Sequence, residues 1–323
     1  MTGIAGVCAV YFIIFLLQEK TVEHLFLIGL IYGLFNGMYW VAYHVLAFDF
    51  TNTKNRGNFA GFERAIKITS NLVGPALGGV LISSNVLGLG YGSVFLLGIL
   101  SMFMSMLIGS VSSKVEANRA FHLTETIREI RSDIDLRRIM YSNLFSNIGQ
   151  TGALRKIIPI FLFAVLASEL QVGGWITFFT ALSIITTIVF GKYINYARYQ
   201  SSGLTAGTIL SISLFSLITA PSLVTYILYG YIKELLTPIS LITRRVYYSN
   251  LLHKIKDYNS HRVEYLVFRE WVNLGGRIIS FIPLLFIPNF ESPLLIGLMV
   301  LMSIATFLDP FMVYRIKTNI HKL

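Results

Sequence analysis

The 323-residue chain is 54% hydrophobic and only 13% charged, with a formal net charge of +10. Because soluble domains typically contain about 25% charged residues, and the mean hydropathy here is +0.67, the composition excludes a soluble globular protein. The basic residues stand singly or in pairs between apolar runs, which excludes the continuous basic face of a nucleic-acid-binding protein.

Apolar stretches recur along the whole sequence, and most reach the roughly 20 residues with which a helix crosses the bilayer core. In chain order they predict ten transmembrane helices, at about residues 3–18, 24–48, 60–84, 91–112, 139–167, 171–191, 203–219, 222–250, 264–288 and 293–314. The first is short, and the ninth begins with several charged residues. The predicted fold class is an all-α integral membrane bundle.

Positive charge alternates between the connectors of these helices, and short connectors rich in Lys and Arg stay in the cytoplasm. The basic residues of every second connector and of the tail are Lys54, Arg56, Lys114, Arg119, Arg128, Arg131, Arg137, Arg138, Lys192, Arg198, Lys254, Lys256, Arg262, Arg315, Lys317 and Lys322. The connectors between them hold Lys20 and otherwise only Glu19, Glu23, Glu169 and Glu291. The asymmetry predicts a multi-pass protein of the cell membrane with both termini in the cytoplasm.

The third predicted helix contains the sequence GFERAIKITSNLVGPALGG, from Gly61 to Gly79. Ser70, Gly74 and Gly78 recur at i and i+4, so they form one stripe of small residues along the helix. In lipid, such a stripe lets a second helix approach closely, and close van der Waals packing drives helix association. We call Ser70, Gly74 and Gly78 the small-residue seam and expect another helix to pack there.

The spacing within this helix is more specific than a stripe. Gly61 is followed after eight residues by Ser70, after three more by Gly74-Pro75, and after two more by Gly78-Gly79. This order resembles the fifth-helix signature of the major facilitator superfamily that is associated with proton-coupled drug exporters, with Ser70 in place of one glycine. The resemblance implies a bundle of two six-helix halves that transports by alternating access.

The resemblance also implies how the ten helices divide. If the third helix is the family's fifth, the chain starts at the family's third helix and lacks the first two. Residues 1–112 then form the N-terminal lobe (family helices 3–6), 113–138 a linker, and 139–323 the C-terminal lobe (family helices 7–12). A shift of 206 residues places Arg56 on Arg262 and Phe62 on Phe268, which fits a repeat of the third helix in the ninth.

The linker is predicted to contain an amphipathic cytoplasmic helix. Thr126 with Glu129 three residues later fits a capping box. The apolar residues Leu123, Ile127, Ile130 and Ile134 share one helical face. The expected role is that of a linker helix lying along the membrane surface or the bundle, and a regulatory or partner site is the alternative.

Ionisable residues at membrane depth are energetically expensive, which makes each one a candidate for function. Lys233 and Glu234 lie near the middle of the eighth helix, Arg277 near that of the ninth, and Arg155 near that of the fifth. Asn273 is spaced to share a helical face with Arg277. We predict substrate binding or coupling by these five residues, with Glu234 as the proton carrier; the alternative is that the charges pair only to hold helices together.

Two further groups complete the candidate residues. Tyr43 and His44, beside Trp40 on the second helix, are candidates for substrate binding, although a His among aromatic residues is more often a packing residue. The gate and packing candidates are Gly74, Pro75, Gly78, Gly79, Glu63, Arg64, Arg269 and Glu270. Pro238 lacks a backbone donor and is expected to bend the eighth helix beside Glu234.

Motif content narrows the function classes. Scattered acidic residues without DxxD, DxxxD or HExxH disfavour a metal-dependent membrane enzyme. The absence of GxxxxGK[ST] excludes ATP as the direct energy source, and the single cysteine, Cys8, leaves no Cys-based metal site. The predicted function is secondary active transport of a small solute by a monomer, with protons or another coupling ion and no cofactor. A non-transporting fragment or membrane scaffold derived from the same fold is the alternative.

The topology predicts the location of reporter fusions. Fusions at Glu169 and Glu291 should report the external side, and fusions at Arg128 and Lys254 the cytoplasmic side, because the positive connectors stay inside. Paired alkaline phosphatase and fluorescent-protein reporters would measure this. An external Arg128 would contradict the orientation.

Overall fold

The computed structural model describes residues 1–50, 91–111, 121–166, 169–193, 198–251, 258–287 and 292–317, with single positions or short runs between 59 and 81. Every regular element in these ranges is a helix. The predicted all-α class is therefore confirmed. The chain forms two compact units, Met1–Ala120 and Phe121–Leu323, and the boundary between them falls within the predicted linker.

The N-terminal unit contains three described helices. They are α1 (Thr2–Leu17), α2 (Leu25–Asp49) and α3 (Tyr91–Val111), with a 3-10 helix over Gln18–His24 after α1. Helix α1 packs against both α2 and α3. The close approach to α2 depends on Gly3, where an added Cβ would lie 2.6 Å from the backbone nitrogen of Tyr39.

The C-terminal unit contains eight helices within the described ranges. They are α4 (Leu123–Ser132), α5 (Ile134–Ile148), α6 (Leu154–Leu166), α7 (Glu169–Tyr193), α8 (Tyr199–Thr219), α9 (Leu223–Leu251), α10 (Tyr258–Phe281) and α11 (Pro293–Tyr314), with a 3-10 helix over Ile282–Phe286. Helix α11 packs against α5 and α8, α9 against α7 and α8, and α10 against α5. Buried residues such as Leu154, Phe179, Leu214 and Met302 form the apolar core.

Four stretches of the described residues are long and apolar enough to cross a bilayer by length and composition. They are Thr2–Ala47, Gly92–Gly109, Tyr199–Thr219 and Pro293–Tyr314. The first contains both α1 and α2. Helices α9 and α10 are also long enough, but their charged and polar side chains lower the hydropathy, as expected of helices that contain the candidate residues.

The predicted fifth span is interrupted, which differs from the continuous helix expected over 139–167. Helix α5 ends at Ile148 and α6 begins at Leu154. The break contains Gly149, where an added Cβ would lie 2.6 Å from the hydroxyl of Thr306 on α11. The N–H of Ala153 donates to Ser280 Oγ on α10 at 3.3 Å, so neighbouring helices satisfy backbone that the break leaves open.

The linker helix α4 also begins and ends differently from the prediction. It starts at Leu123, so Thr126 lies inside the first turn and donates to the carbonyl of His122 at 3.3 Å; the predicted capping box is wrong. The N–H of His122 donates instead to Glu264 Oε1 on α10 at 3.0 Å. Ile134 is 50% exposed because α4 ends at Ser132 and Asp133 caps the next helix.

Helices α5 and α10 approach each other through Gly276. An added Cβ would lie 2.6 Å from the carbonyl oxygen of Leu144 and 2.8 Å from Asn147 Cβ, whereas at the neighbouring Gly275 the nearest atom, Leu144 Cδ1, is 3.7 Å away. The two adjacent glycines therefore differ in one respect: a Cβ at Gly276 would overlap α5, whereas a Cβ at Gly275 would fit.

We expect Gly276→Ala to destabilise the C-terminal unit by about 1–3 kcal/mol, the usual cost of overpacking, because the backbone of α5 would have to move. Gly275→Ala, which makes an ordinary contact, is the control. Thermal unfolding of the purified chain in detergent would measure both. Equal midpoints would contradict the close contact.

Candidate functional site

A chain of side-chain hydrogen bonds connects α5 to α10. Asn147 Nδ2 donates to Asn273 Oδ1 at 2.8 Å, and Asn273 Nδ2 donates to Glu270 Oε1 at 3.1 Å. Arg277 Nε donates to Asn147 Oδ1 at 3.3 Å. We call Asn147, Asn273, Glu270 and Arg277 the asparagine network. It joins three residues predicted from the sequence through Asn147, which the sequence analysis missed.

Glu270 also binds its neighbour Arg269. Arg269 Nη2 lies 2.7 Å from Glu270 Oε1, and the guanidinium lies over the ring of Tyr248 on α9, 4.9 Å from its centroid. This cation–π contact links α10 to α9. The predicted gate role of Arg269 and Glu270 stays a prediction.

A second polar centre, absent from the predicted set, lies between α5, α9 and α11. Asp309 Oδ1 accepts a hydrogen bond from Ser142 Oγ at 2.5 Å, and Asp309 Oδ2 lies 2.8 Å from Arg244 Nη1. The Asp309 side chain is fully buried and that of Arg244 is 14% exposed. A buried carboxylate of this kind needs its partners, because an unpaired charge in the interior is costly.

Sequence signals for this centre existed. Asp309 is the only charged residue of α11, and it precedes Pro310. The sequence alone does not indicate a buried site here, because both Asp309 and Arg244 lie toward the predicted cytoplasmic ends of their spans, where a charged side chain ordinarily reaches water.

A third set of polar contacts joins the start of α5 to the residues that follow α11. Asp135 Oδ1 lies 3.1 Å from Arg138 Nη1 and accepts from the N–H of Lys317 at 3.2 Å. Arg138 Nη1 also donates to the carbonyl of Arg315 at 2.6 Å. The beginning of α5 thereby binds the chain just beyond α11.

Glu234 lies in α9 and binds Lys233, whose Nζ is 3.0 Å from Glu234 Oε1. Both side chains are partly exposed, at 27% for Lys233 and 21% for Glu234. Helix α9 continues through Pro238, one turn later. Within the described residues Glu234 makes no ion pair with Arg277 or Arg155, so the predicted grouping of these three charges is not seen.

Ser280 links the backbone just before α6, close in sequence to Arg155, to the backbone of Arg277 on α10. Ser280 Oγ accepts from the N–H of Ala153 and donates to the carbonyl of Arg277 at 3.0 Å. Arg155 follows Ala153 by two residues, at the start of α6. Both arginines and Lys156 are exposed within the unit.

The candidates of the N-terminal unit form an aromatic group. The ring centroids of Tyr43 and His44 are 5.5 Å apart, and both rings contact Trp40. Lys67 Nζ lies 5.1 Å from the centroid of the Trp40 ring. These contacts match the packing interpretation of His44, and its substrate role stays a prediction.

The small-residue seam is described only in part. Arg64, Pro75, Gly78 and Gly79 lie outside the described residues, and Glu63 is half-buried. At Gly74 an added Cβ would meet no atom within 4 Å in the part of the chain that is described. The helix expected to pack on the seam is therefore still a prediction.

Comparison with known proteins assigns the family. Residues 1–243 match the sequence profile of the Major Facilitator Superfamily, which is three quarters of the chain. The chain belongs to the Major Facilitator Superfamily. This confirms the predicted superfamily, whereas the exporter branch indicated by the third helix stays a prediction. The superfamily consists of membrane transport proteins and not typically of enzymes.

Two bacterial proteins are similar to the chain. Uncharacterized protein YqgE of Bacillus subtilis (strain 168) is 27% identical over 285 residues, which cover 88% of this chain and 66% of that protein. The "uncharacterized protein in sodM 3'region" of Geobacillus stearothermophilus is 34% identical over 89 residues, covering 27% of this chain and 42% of that protein. The chain thus spans about two thirds of its Bacillus subtilis relative.

The Asp309–Arg244 pair predicts non-additive effects of substitution. Asp309→Ala or Arg244→Ala alone should destabilise the chain by about 3–5 kcal/mol, because each leaves a buried charge unpaired. The double variant should be more stable than the sum of the two losses implies. Thermal unfolding in detergent would measure the cycle.

A control for this cycle is Glu125→Ala. Glu125 is 68% exposed and lies 3.8 Å from His122, so the change should stay within about 0.5 kcal/mol. Additive losses in the Asp309–Arg244 cycle would contradict the assigned pairing.

Proposed function

We propose that this superfamily member is a secondary active transporter that moves a small solute by alternating access, with proton-coupled efflux as its mode. The observation that carries the proposal is the partly exposed Lys233–Glu234 pair on α9, with Pro238 one turn away. A charge pair in a membrane helix faces the bundle interior or a water-filled cavity. Such a position suits a group that meets water and protons during a transport cycle.

Glu234 is the proposed proton carrier. A carboxylate that separates from its cationic partner can bind a proton in that partner's place. Lys233 is that partner, at 3.0 Å. The proline in the same helix removes one backbone hydrogen bond, which favours bending of the segment that contains the pair.

The proposed direction of transport and the proposed membrane orientation are both supported by sequence features. The GPxxGG motif of the third helix supports the exporter branch, and the alternation of positive connectors supports cytoplasmic termini in the cell membrane. Protons are the proposed coupling ion and the bilayer the working environment. The chain spans about two thirds of its Bacillus subtilis relative, which leaves a non-transporting membrane scaffold as the alternative function. The assay below distinguishes transport from this alternative.

The test uses the purified chain in proteoliposomes loaded with a pH-sensitive dye. Four probes share one aromatic ring and differ in charge: phenyl phosphate, benzenesulfonate, benzyltrimethylammonium and benzyl alcohol. We expect at least one probe to evoke proton movement. Glu234→Gln should abolish proton movement while retaining probe exchange at equal concentrations, because the amide binds no proton.

Glu125→Gln, on the exposed linker helix, is the matched control and should behave as the unaltered chain does. Full proton-driven accumulation by Glu234→Gln would remove Glu234 from the mechanism. Probe flux without proton movement would exclude proton coupling, and a folded chain that moves no probe would favour the scaffold.

A further inference from the structure

Resting on the proposed transport function, we infer that the transported solute has an oxyanion group, and that Arg277 binds it together with Arg155 and Lys156. The oxyanion is a carboxylate, phosphate or sulfonate.

Three acidic side chains, one each on α9, α10 and α11, lie next to a cation. Glu234 lies 3.0 Å from Lys233, Glu270 lies 2.7 Å from Arg269, and Asp309 lies 2.8 Å from Arg244. In two of the three pairs the partners are adjacent in sequence. Within the described residues, none of these three carboxylates makes an ion pair with Arg277, Arg155 or Lys156.

Arg277, Arg155 and Lys156 are left with excess positive charge. Within the described residues none of the three makes an ion pair, and all three are exposed in the C-terminal unit. They lie near the middle of the predicted fifth and ninth spans, where an uncompensated charge is expensive unless it meets water or a counter-ion. An anionic solute supplies the missing charge.

The segments that contain the three cations meet at the break between α5 and α6. Ser280 Oγ binds the backbone of both Ala153 and Arg277, so the start of α6 lies against the turn of α10 that contains Arg277. Both amide atoms of Gln150, in the same break, are buried without a hydrogen-bond partner among the described residues. Buried polar atoms of this kind are normally satisfied by water or a ligand.

Asn147 positions the guanidinium of Arg277. It accepts from Arg277 Nε at 3.3 Å and is itself held by Asn273 at 2.8 Å. Within the described part of the chain, the two terminal nitrogens of Arg277 make no hydrogen bond. A guanidinium fixed through Nε presents these nitrogens as a fork, which matches the two oxygens of a carboxylate, phosphate or sulfonate.

The experiment measures arginine modification in the purified full chain in neutral detergent. The chain is treated with p-hydroxyphenylglyoxal, and peptide mass spectrometry gives the labelling rate of each arginine in the presence of the four aromatic probes. Phenyl phosphate and benzenesulfonate should slow labelling of Arg277 about tenfold at a concentration of about ten times the dissociation constant, because only the unoccupied guanidinium reacts. Benzyltrimethylammonium and benzyl alcohol should have no effect.

Arg128, exposed on the linker helix, is the internal reference, and its labelling should not change. Arg155→Gln should raise the concentration of phenyl phosphate needed to protect Arg277, whereas Arg128→Gln should leave it unchanged. Equal protection of Arg128, or protection of Arg277 by the cationic probe, would overturn the inference. Protection by added phosphatidylglycerol but not by phenyl phosphate would assign the site to a lipid headgroup and also overturn it.

The binding result is independent of the flux result. If the anions protect Arg277 and no probe moves across proteoliposomes, the oxyanion site stands and the transport function fails. If benzyltrimethylammonium moves with protons and the anions give no protection, transport stands and the oxyanion inference fails.

Discussion

A charged side chain buried inside a membrane protein needs an oppositely charged or hydrogen-bonding partner, because an unpaired buried charge is costly. This requirement determines which helices of the C-terminal unit are neighbours. Asp309 meets both Ser142 and Arg244, so one carboxylate holds three helices together. Replacing such a pair with apolar residues often costs a protein no stability. The Asp309–Arg244 pair therefore specifies which helices are neighbours, and, compared with apolar residues in its place, it contributes little to the free energy of folding.

At the break between α5 and α6, the polar groups of the backbone also need partners. Five residues without regular helix would expose polar backbone groups that lipid cannot satisfy. Ser280 provides an acceptor for the N–H of Ala153, and Gly149 and Gly276 allow helices to come near enough to exclude lipid. The helices that seal the break also orient Arg277, so the irregular backbone and the proposed anion site depend on the same contacts.

The sequence predicted those features that depend on one helix at a time. Span length and hydropathy located the helices, and the spacing of Asn273 and Arg277 predicted a shared face. Features that depend on two or three helices were missed. Asn147 is one of several polar residues in the first half of the predicted fifth span, and Asp309 lies where a charged side chain ordinarily reaches water. Thr126 fits a cap, but α4 begins at Leu123, and the N–H of His122 binds Glu264 instead. The role of each of these residues depends on a contact with another helix, and the spacing of residues along the sequence does not show which helices are in contact.

The contacts of Asp135 and Arg138 with residues 315 and 317 have a consequence for biosynthesis. They join positions 177 and 182 residues apart in the chain, so the first membrane helix of the unit leaves the ribosome long before its partners exist. Contacts of such large sequence separation form late, and until then Asp135 lacks its final bonds. This end of the unit therefore assembles only after residues 315 and 317 have been synthesised, and an insertase or chaperone that shields the early helices would act during that interval.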